Sequence, residues 1–209
     1  MKKFELKGEN LSIRFIRRIN VFSDVNIKVA NSEIIGVIGE NGSGKTTLLK
    51  ILSGILRPAT GKVTMKIDGK EIQKEDIAQH IGFVSPYLIL YEEFTPMEHL
   101  QLFAKLRNIE FNQNFTMELL EEFNLKNRRN DMIKTFSSGM KQRVKYMISL
   151  QSKPEILFLD EPFTNLDTAG INSIKKIIEL HVADGGGVII ASNDDREKKL
   201  CSRFTELKN

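Results

Sequence analysis

The stretch from Gly39 to Thr46 reads GENGSGKT, a Gly-x-x-x-x-Gly-Lys-Thr motif that follows the apolar run 34–38 and precedes a helical pattern. Its three glycines allow positive φ and close backbone approach, so successive N–H groups can wrap a phosphate. The helix that follows adds a dipole that favours anions at its N-terminus. The motif therefore predicts a phosphate loop that binds a nucleoside triphosphate.

Individual residues of this loop have distinct predicted roles. Lys45 is expected to reach the β- and γ-phosphates and to act in catalysis, and Thr46 is expected to offer its hydroxyl to Mg²⁺. Apolar residues at helical spacing from Leu48 to Leu56 predict a helix that ends at Arg57-Pro58. The full set expected to contact the nucleotide is Gly39, Glu40, Asn41, Gly42, Ser43, Gly44, Lys45, Thr46 and Thr47.

Composition limits the class of protein. With 209 residues, 41% of them hydrophobic, the chain can bury one substantial core, and we expect a single domain spanning residues 1–209. A net charge of +4 falls short of the basic surface typical of nucleic-acid binding. No apolar stretch reaches membrane-spanning length, and residues 1–5 do not resemble a signal peptide, so a cytoplasmic location is expected. The single cysteine, Cys201, cannot form an internal disulfide.

Short strand patterns between Leu11 and Val29 predict an N-terminal antiparallel β subdomain. A strand over 63–67 ends at the turn pair Asp68-Gly69, and a helix near 76–80 and a strand over 81–84 follow. Two further apolar strands, 156–159 and 187–191, are separated by a helical pattern, which predicts a parallel sheet.

Residues 87–153 have mostly helical periodicity and predict an inserted helical subdomain, with the core formed by about residues 1–86 and 154–209. Thr95-Pro96-Met97-Glu98 is a capping box that predicts a helix start, with an apolar stripe that continues to Leu106. Further helices are expected at 117–123 and from Ser137 onward. The predicted fold class is α/β, a P-loop NTPase core with a mainly parallel sheet.

A second motif, Asp160-Glu161-Pro162, follows the apolar strand 156–159. The pattern places two carboxylates at the C-terminal edge of the sheet, where ligands of open α/β folds bind. Asp160 is expected to be a metal-side acid for Mg²⁺, and Glu161 to polarise an attacking water.

The segment 136–143 reads FSSGMKQR, which resembles the Leu-Ser-Gly-Gly-Gln signature of the ATP-binding subunits of ATP-binding cassette (ABC) transporters. The order of the three motifs extends this resemblance over nearly the whole chain. Physically, Ser137, Ser138 and Gly139 form a helix N-terminus with two hydroxyls and a glycine, which favours an anion. The resemblance implies that these three residues contact ATP bound to an opposite subunit, so that two subunits form a homo- or heterodimer through their ATP sites.

Other positions match the family less fully. Residues 164–167, Thr-Asn-Leu-Asp, match the loop after the second carboxylate, and Phe15 lies where an aromatic residue stacks on adenine, although it also fits a plain strand residue. Pro86 stands where the family usually has glutamine, and Asn193 where it usually has histidine. Asn193 can still donate a neutral hydrogen bond to the γ-phosphate and is included among the expected catalytic residues.

The sequence thus predicts an ATP-binding and ATP-hydrolysing subunit that powers a membrane transporter through ATP-driven dimerisation. The resemblance implies ATP and Mg²⁺ as cofactors and a separate transmembrane permease subunit, with attachment to the inner face of the membrane through it. No nucleic acid is expected, and the short length favours the haem-exporter-type subgroup. Two alternatives stay open: a soluble ABC ATPase that acts on nucleic acid or ribosomes, and a low-turnover regulatory module that binds ATP.

Overall fold

The computed structural model describes residues 2–15, 19–164 and 166–207, without the side chains of Phe15 and Ile19. Within these residues the chain forms two sheets. A four-stranded antiparallel sheet has the order β2-β1-β4-β5, and a five-stranded parallel sheet has the order β6-β7-β8-β3-β9. This arrangement confirms the predicted α/β class with an N-terminal antiparallel part.

The antiparallel sheet is built from β1 (Phe4–Phe15), β2 (Ile19–Ala30), β4 (Thr60–Ile67) and β5 (Lys70–Ile72). Alternate side chains of the long strands are buried, as the period of two requires. The Asp68-Gly69 turn has φ values of 50° and 79°, as expected between two paired strands. The sequence analysis placed the first strand too late, at residue 11, and missed β5, which is short and polar.

The parallel sheet consists of β3 (Ile34–Ile38), β6 (Ile81–Val84), β7 (Ile156–Asp160), β8 (Gly187–Ala191) and β9 (Arg203–Glu206). All residues of β7 and β8 are buried, which explains their continuous apolar sequences. Val37 of β3 and Asp160 of β7 both pair with Ala191 of β8. The phosphate loop and the two carboxylates therefore leave the same edge of the sheet.

Six α-helices occur in the described part of the chain. They are α1 (Lys45–Leu52), α2 (Pro96–Leu106), α3 (Gln113–Glu122), α4 (Ser138–Leu150), α5 (Thr168–Ala183) and α6 (Asp195–Lys198). Helices α2 to α4 all lie between β6 and β7 in the sequence. The predicted capping box of α2 is present: Glu98 N–H donates to Thr95 Oγ1 at 3.2 Å, and Thr95 N–H donates to Glu98 Oε2 at 2.7 Å.

Three local predictions are wrong. Helix α1 ends at Leu52 rather than near Leu56, because Gly54 adopts a φ of 77° that ends the helical path. The helix expected near 76–80 is a 3₁₀ segment over Lys74–His80. Leu106, assigned to the buried stripe of α2, is 69% exposed.

Hydrophobic residues form two clusters on opposite faces of the parallel sheet. Along β7, Ile156 and Phe158 face the cluster shared with α1 and the antiparallel sheet. Leu157 and Leu159 face the cluster that α2 to α5 cover. Because both faces of the sheet are covered, only its edges and its C-terminal ends remain available to a ligand.

Candidate nucleotide site

The phosphate loop connects β3 to α1 through a backbone that requires glycine. Gly44 caps α1 with a φ of 94°, and a Cβ at this position would come within 2.5 Å of Val21 Cγ1 on β2. A larger residue would therefore meet both backbone strain and a clash. The first N–H groups of α1 have no partner within the helix and lie at the loop. This geometry suits the capture of an anion.

Lys45 is buried inside the loop that precedes it, with 7% of its surface exposed. Its Nζ donates to the carbonyl oxygens of Gly39 at 2.7 Å and Glu40 at 3.0 Å. Burial lowers the pKa of the Lys45 ammonium, while the charges of Glu161 and Asp160 oppose that shift. The ammonium is held at the loop by neutral carbonyl groups, which phosphate oxygens can replace as stronger acceptors.

The two predicted Mg²⁺ residues are in direct contact. Thr46 Oγ1 donates to Asp160 Oδ2 at 2.8 Å, which joins positions 114 residues apart in the sequence. Burial raises the pKa of the Asp160 carboxyl, and the Thr46 hydroxyl opposes that shift. One hydroxyl and one carboxylate are hard oxygen ligands of the kind that Mg²⁺ uses beside phosphate oxygens. The residues fit the ion.

Glu161 has a left-handed backbone, with a φ of 48°. Its N–H donates to the Ala191 carbonyl oxygen at 2.9 Å, and its Oε2 accepts a hydrogen bond from Thr164 Oγ1 at 3.3 Å. The side chain is exposed. A non-glycine residue with positive φ is strained, and such residues often lie at functional sites.

A cleft of about 560 Å³ brings eight of the predicted residues together. The predicted residues that line this cleft are Asn41, Gly42, Gly44, Lys45, Thr46, Thr47, Asp160 and Glu161. Gly39, Glu40 and Ser43 shape the loop without lining this cleft, and the side chain of Phe15 lies outside the described residues. Val21 and Tyr87 also line it, and the sequence analysis missed both. A valine in a strand gives no functional signal, and Tyr87 follows an atypical proline.

Ser137 caps α4, the helix that the signature segment begins. Its Oγ accepts a hydrogen bond from Met140 N–H at 3.3 Å, and both Ser137 and Ser138 are exposed. Among the described residues that line the phosphate-loop cleft, none comes from 137–139. Ser138 instead lines an adjacent cavity of about 270 Å³, together with Glu161. The signature therefore does not complete the cleft of its own chain.

The two atypical positions both have defined contacts. Asn193 Nδ2 donates to Asn41 Oδ1 at 2.9 Å, which places it at the phosphate loop. The Pro86 carbonyl oxygen accepts from Lys145 Nζ at 2.9 Å, and burial lowers the pKa of that ammonium. Lys145, on α4, was not predicted, and a lysine on a helix carries no motif that could have identified it.

In the loop after the second carboxylate, Asn165 lies outside the described residues. Asp167 caps α5, since its Oδ1 accepts from Gly170 N–H at 2.7 Å. The phosphate loop, the Asp160-Glu161 pair and Asn193 thus lie at the carboxyl ends of β3, β7 and β8, an arrangement typical of α/β proteins that bind phosphate at a helix N-terminus.

Comparisons with known proteins assign this class more closely. Residues 22–164 match the family model described as ABC transporter. The lipoprotein-releasing system ATP-binding protein of Wigglesworthia glossinidia brevipalpis is 32% identical over 92% of this chain and 88% of its own. The cytochrome c biogenesis ATP-binding export protein of Dechloromonas aromatica is 31% identical over 90% of this chain and 92% of its own.

A solved structure described as the ATP-binding subunit of an ABC transporter superposes with a TM-score of 0.83 and 29% identity, covering 97% of this chain and 85% of that one. The chain therefore belongs to the ABC transporter family. It is an ATP-binding and ATP-hydrolysing subunit that powers a membrane transporter.

Proposed function

We propose that two subunits close on two ATP molecules, each held between the phosphate loop of one subunit and the α4 N-terminus of the other. The observation that carries this proposal is the placement of two anion-favouring helix ends in one chain. One end lies in the cleft with Asp160 and Glu161, and the other is exposed and lines a different cavity. Each chain thus contributes one half to each of two sites, the phosphate loop to one and the α4 N-terminus to the other, which suits head-to-tail pairing.

Within each site we assign Thr46 and Asp160 to Mg²⁺, and Lys45 to the β- and γ-phosphates. The Thr46–Asp160 contact supports the first assignment, and the buried ammonium of Lys45 supports the second. When bound, Mg²⁺ would offset charge on the phosphate oxygens. Glu161, which is exposed in the same cleft, would accept a proton from the attacking water.

The proposed ATPase chemistry is tested with Glu161→Gln, measured as phosphate release at saturating MgATP. The amide keeps the side-chain shape but cannot accept the proton, so we expect a loss of roughly a hundredfold or more in kcat with ATP binding retained. Glu179→Gln, an exposed glutamate on α5, is the control and should retain wild-type turnover. Turnover of Glu161→Gln at the wild-type rate would contradict the assigned base.

We also propose that residues 87–153 form the lobe that docks on a separate transmembrane subunit, which would hold the chain at the inner face of the membrane. A groove of about 320 Å³ between this lobe and the core supports this assignment, because Leu106 lines it from the lobe and Ile55 and Phe83 line it from the core. Ile55 and Leu106 are 64% and 69% exposed, and Leu88, whose neighbour Ile89 is 83% exposed, also lines the groove. Contiguous exposed apolar surface is typical of a protein interface.

Arg107 lies in the wall of this groove, and its contacts indicate which kind of side chain a partner would place beside it. Its Nη2 donates to the carbonyl oxygens of Ala78 at 2.7 Å and Ile81 at 2.8 Å, and burial lowers its pKa. Among the described residues no carboxylate forms an ion pair with it. We therefore propose an amphipathic partner helix with an aspartate or glutamate that approaches this guanidinium.

Docking is tested by Leu106→Glu, with Leu180→Glu as the control because Leu180 is an exposed leucine on α5. The partner is sought among multi-span membrane proteins that neighbouring genes encode. We expect Leu106→Glu alone to lose co-purification with that partner while both variants keep the ATPase rate of the isolated subunit. Equal co-purification of both variants would contradict the assigned groove.

The finer identity is also a proposal. The likeness to the cytochrome c biogenesis export protein from Dechloromonas aromatica supports the haem-exporter subgroup, while other relatives bear names from different transport systems. Pro86 favours the low-turnover alternative, because its side chain has no group to contact Mg²⁺ or water.

Within residues 2–15, 19–164 and 166–207, no helix has the length and hydropathy needed to cross a bilayer.

A further inference from the structure

Glu197 is a buried acid that the sequence motifs do not explain. It lies on α6 with 1% of its surface exposed, and its Oε1 accepts a hydrogen bond from Phe163 N–H at 2.6 Å. Its Oε2 has no hydrogen-bond partner among the described residues, and neither has the buried hydroxyl of Tyr146. A carboxylate so placed costs stability, because it has lost water without full replacement of its hydrogen bonds.

Electrostatics do not remove this cost. Burial raises the pKa of the Glu197 carboxyl, the Ser192 side chain and Phe163 N–H oppose the shift, and the charges of Asp194 and Glu161 add to it. No basic group in the described part of the chain is among the causes that stabilise its charge. A buried acid held against such a penalty points to a role in holding specific geometry.

Glu197 connects the two segments that follow β7 and β8, residues 161–163 and residues 192–197. Phe163 lies two residues after Glu161, and Glu197 lies four residues after Asn193. Glu197 N–H donates to the Asp194 carbonyl oxygen at 3.1 Å, which folds α6 back on its own segment. The contact from Glu197 to Phe163 then crosses to the other segment. A second crossing bond, from Glu161 N–H to the Ala191 carbonyl oxygen at 2.9 Å, lies at the strand ends.

We propose that Glu197 is a positioning residue whose carboxylate ties the turn that carries Glu161 to the segment that carries Asn193. It touches neither nucleotide nor water, and acts by fixing the angle at which Glu161 leaves the sheet. The inference rests on the proposed role of Glu161 in hydrolysis. It adds that the base and the asparagine at the phosphate loop are held as one unit.

The test compares Glu197→Gln and Glu197→Ala with the wild type in phosphate-release assays across ATP concentrations. Alanine removes the acceptor for Phe163 N–H, so we expect kcat to fall roughly tenfold or more while KM stays within about twofold. Glutamine keeps a carbonyl acceptor and should restore most of that loss. Asp195→Asn is the matched control, since Asp195 is an exposed acid on the same helix, and should keep the wild-type kcat.

Glu197→Ala could lose activity by unfolding, so active sites are counted by titration with a fluorescent ATP analogue and kcat is expressed per site. Coupling gives an independent readout. If the two segments form a unit, the effects of Glu197→Ala and Asn193→Ala on kcat should not multiply. Wild-type kcat per site in both Glu197 variants, or strictly multiplicative effects, would overturn the proposal. Absence of hydrolysis by the wild type would instead contradict the proposed function itself.

Discussion

The N-termini of α1 and α4 use the same physics in opposite settings. Each is a helix N-terminus with N–H groups that have no backbone partner within the helix, with hydroxyls and a glycine beside them, which favours an anion. At α1, the loop is enclosed by β2, and Lys45 is 7% exposed. At α4, Ser137 and Ser138 are exposed, and their segment does not line the phosphate-loop cleft. The first end can hold a phosphate within one chain, while the second needs a ligand brought by another.

This contrast separates two kinds of mutational effect. Substitutions at the α1 end should weaken nucleotide binding by an isolated subunit, because every group involved belongs to that chain. Substitutions at the α4 end should leave that binding unchanged and act only on assembly. The largest expected effect therefore belongs to the enclosed end.

Lys45→Ala should lower ATP affinity or turnover roughly a hundredfold, because charge-assisted bonds to phosphate are lost from a buried position. Isothermal titration and phosphate release measure the two quantities. Lys50→Ala is the control, since Lys50 is exposed on the same helix. ATP affinity and turnover unchanged by Lys45→Ala would remove the phosphate-loop assignment.

Asn193→Ala should lower turnover about ten- to a hundredfold if the amide donates to the γ-phosphate in the closed site, which corresponds to one bond to a charged group, roughly 1.5–3 kcal/mol. In the structure this amide donates to Asn41 of the phosphate loop, so it is within reach of the enclosed end. Asn193→His should at least preserve activity. A wild-type rate in Asn193→Ala, with and without the membrane partner, would favour the low-turnover module.

The smallest effect concerns stability, and its source is remote from both helix ends. His181 is buried, and its ring packs so closely on Gly186 that a Cβ at position 186 would clash with it. Burial lowers the pKa of the His181 imidazole to about 4. On acidification His181 takes up a proton near pH 6.5 in the unfolded chain, before it does so in the folded chain. The stability that neutral His181 contributes is therefore present above pH 6.5 and is lost as the pH falls toward 4. At pH 5 we expect a loss of about 2 kcal/mol relative to pH 7 from this group.

Urea unfolding at the two pH values measures that loss. His181→Leu removes the titrating ring, so the variant should lose about 2 kcal/mol less than the wild type between pH 7 and pH 5. An identical pH dependence in both proteins would show that the ring does not carry the effect.

The enclosed end of the molecule was the more predictable from sequence. GENGSGKT and the strand before Asp160 encode their own backbone, so the phosphate loop and both carboxylates could be placed by local rules. Contacts made across the fold could not. Lys145 at the Pro86 carbonyl and Glu197 at Phe163 N–H join residues that are 59 and 34 positions apart. Their sequences contain no periodic or motif signal, and only the order of strands in the sheet brings them together.

The central claim is that the exposed α4 end completes the ATP site of a second subunit. Light scattering of Glu161→Gln in saturating MgATP tests it, with Gly139→Asp and Gly139→Ala added in turn. A Cβ at Gly139 meets only ordinary contact, with Leu166 Cδ2 at 3.8 Å, so alanine is a steric control for the negative charge. We predict the mass of two subunits for Glu161→Gln and for its alanine derivative, and of one for its aspartate derivative. A single-subunit mass for Glu161→Gln, or an ATP-dependent dimer that the aspartate leaves intact, would contradict the account.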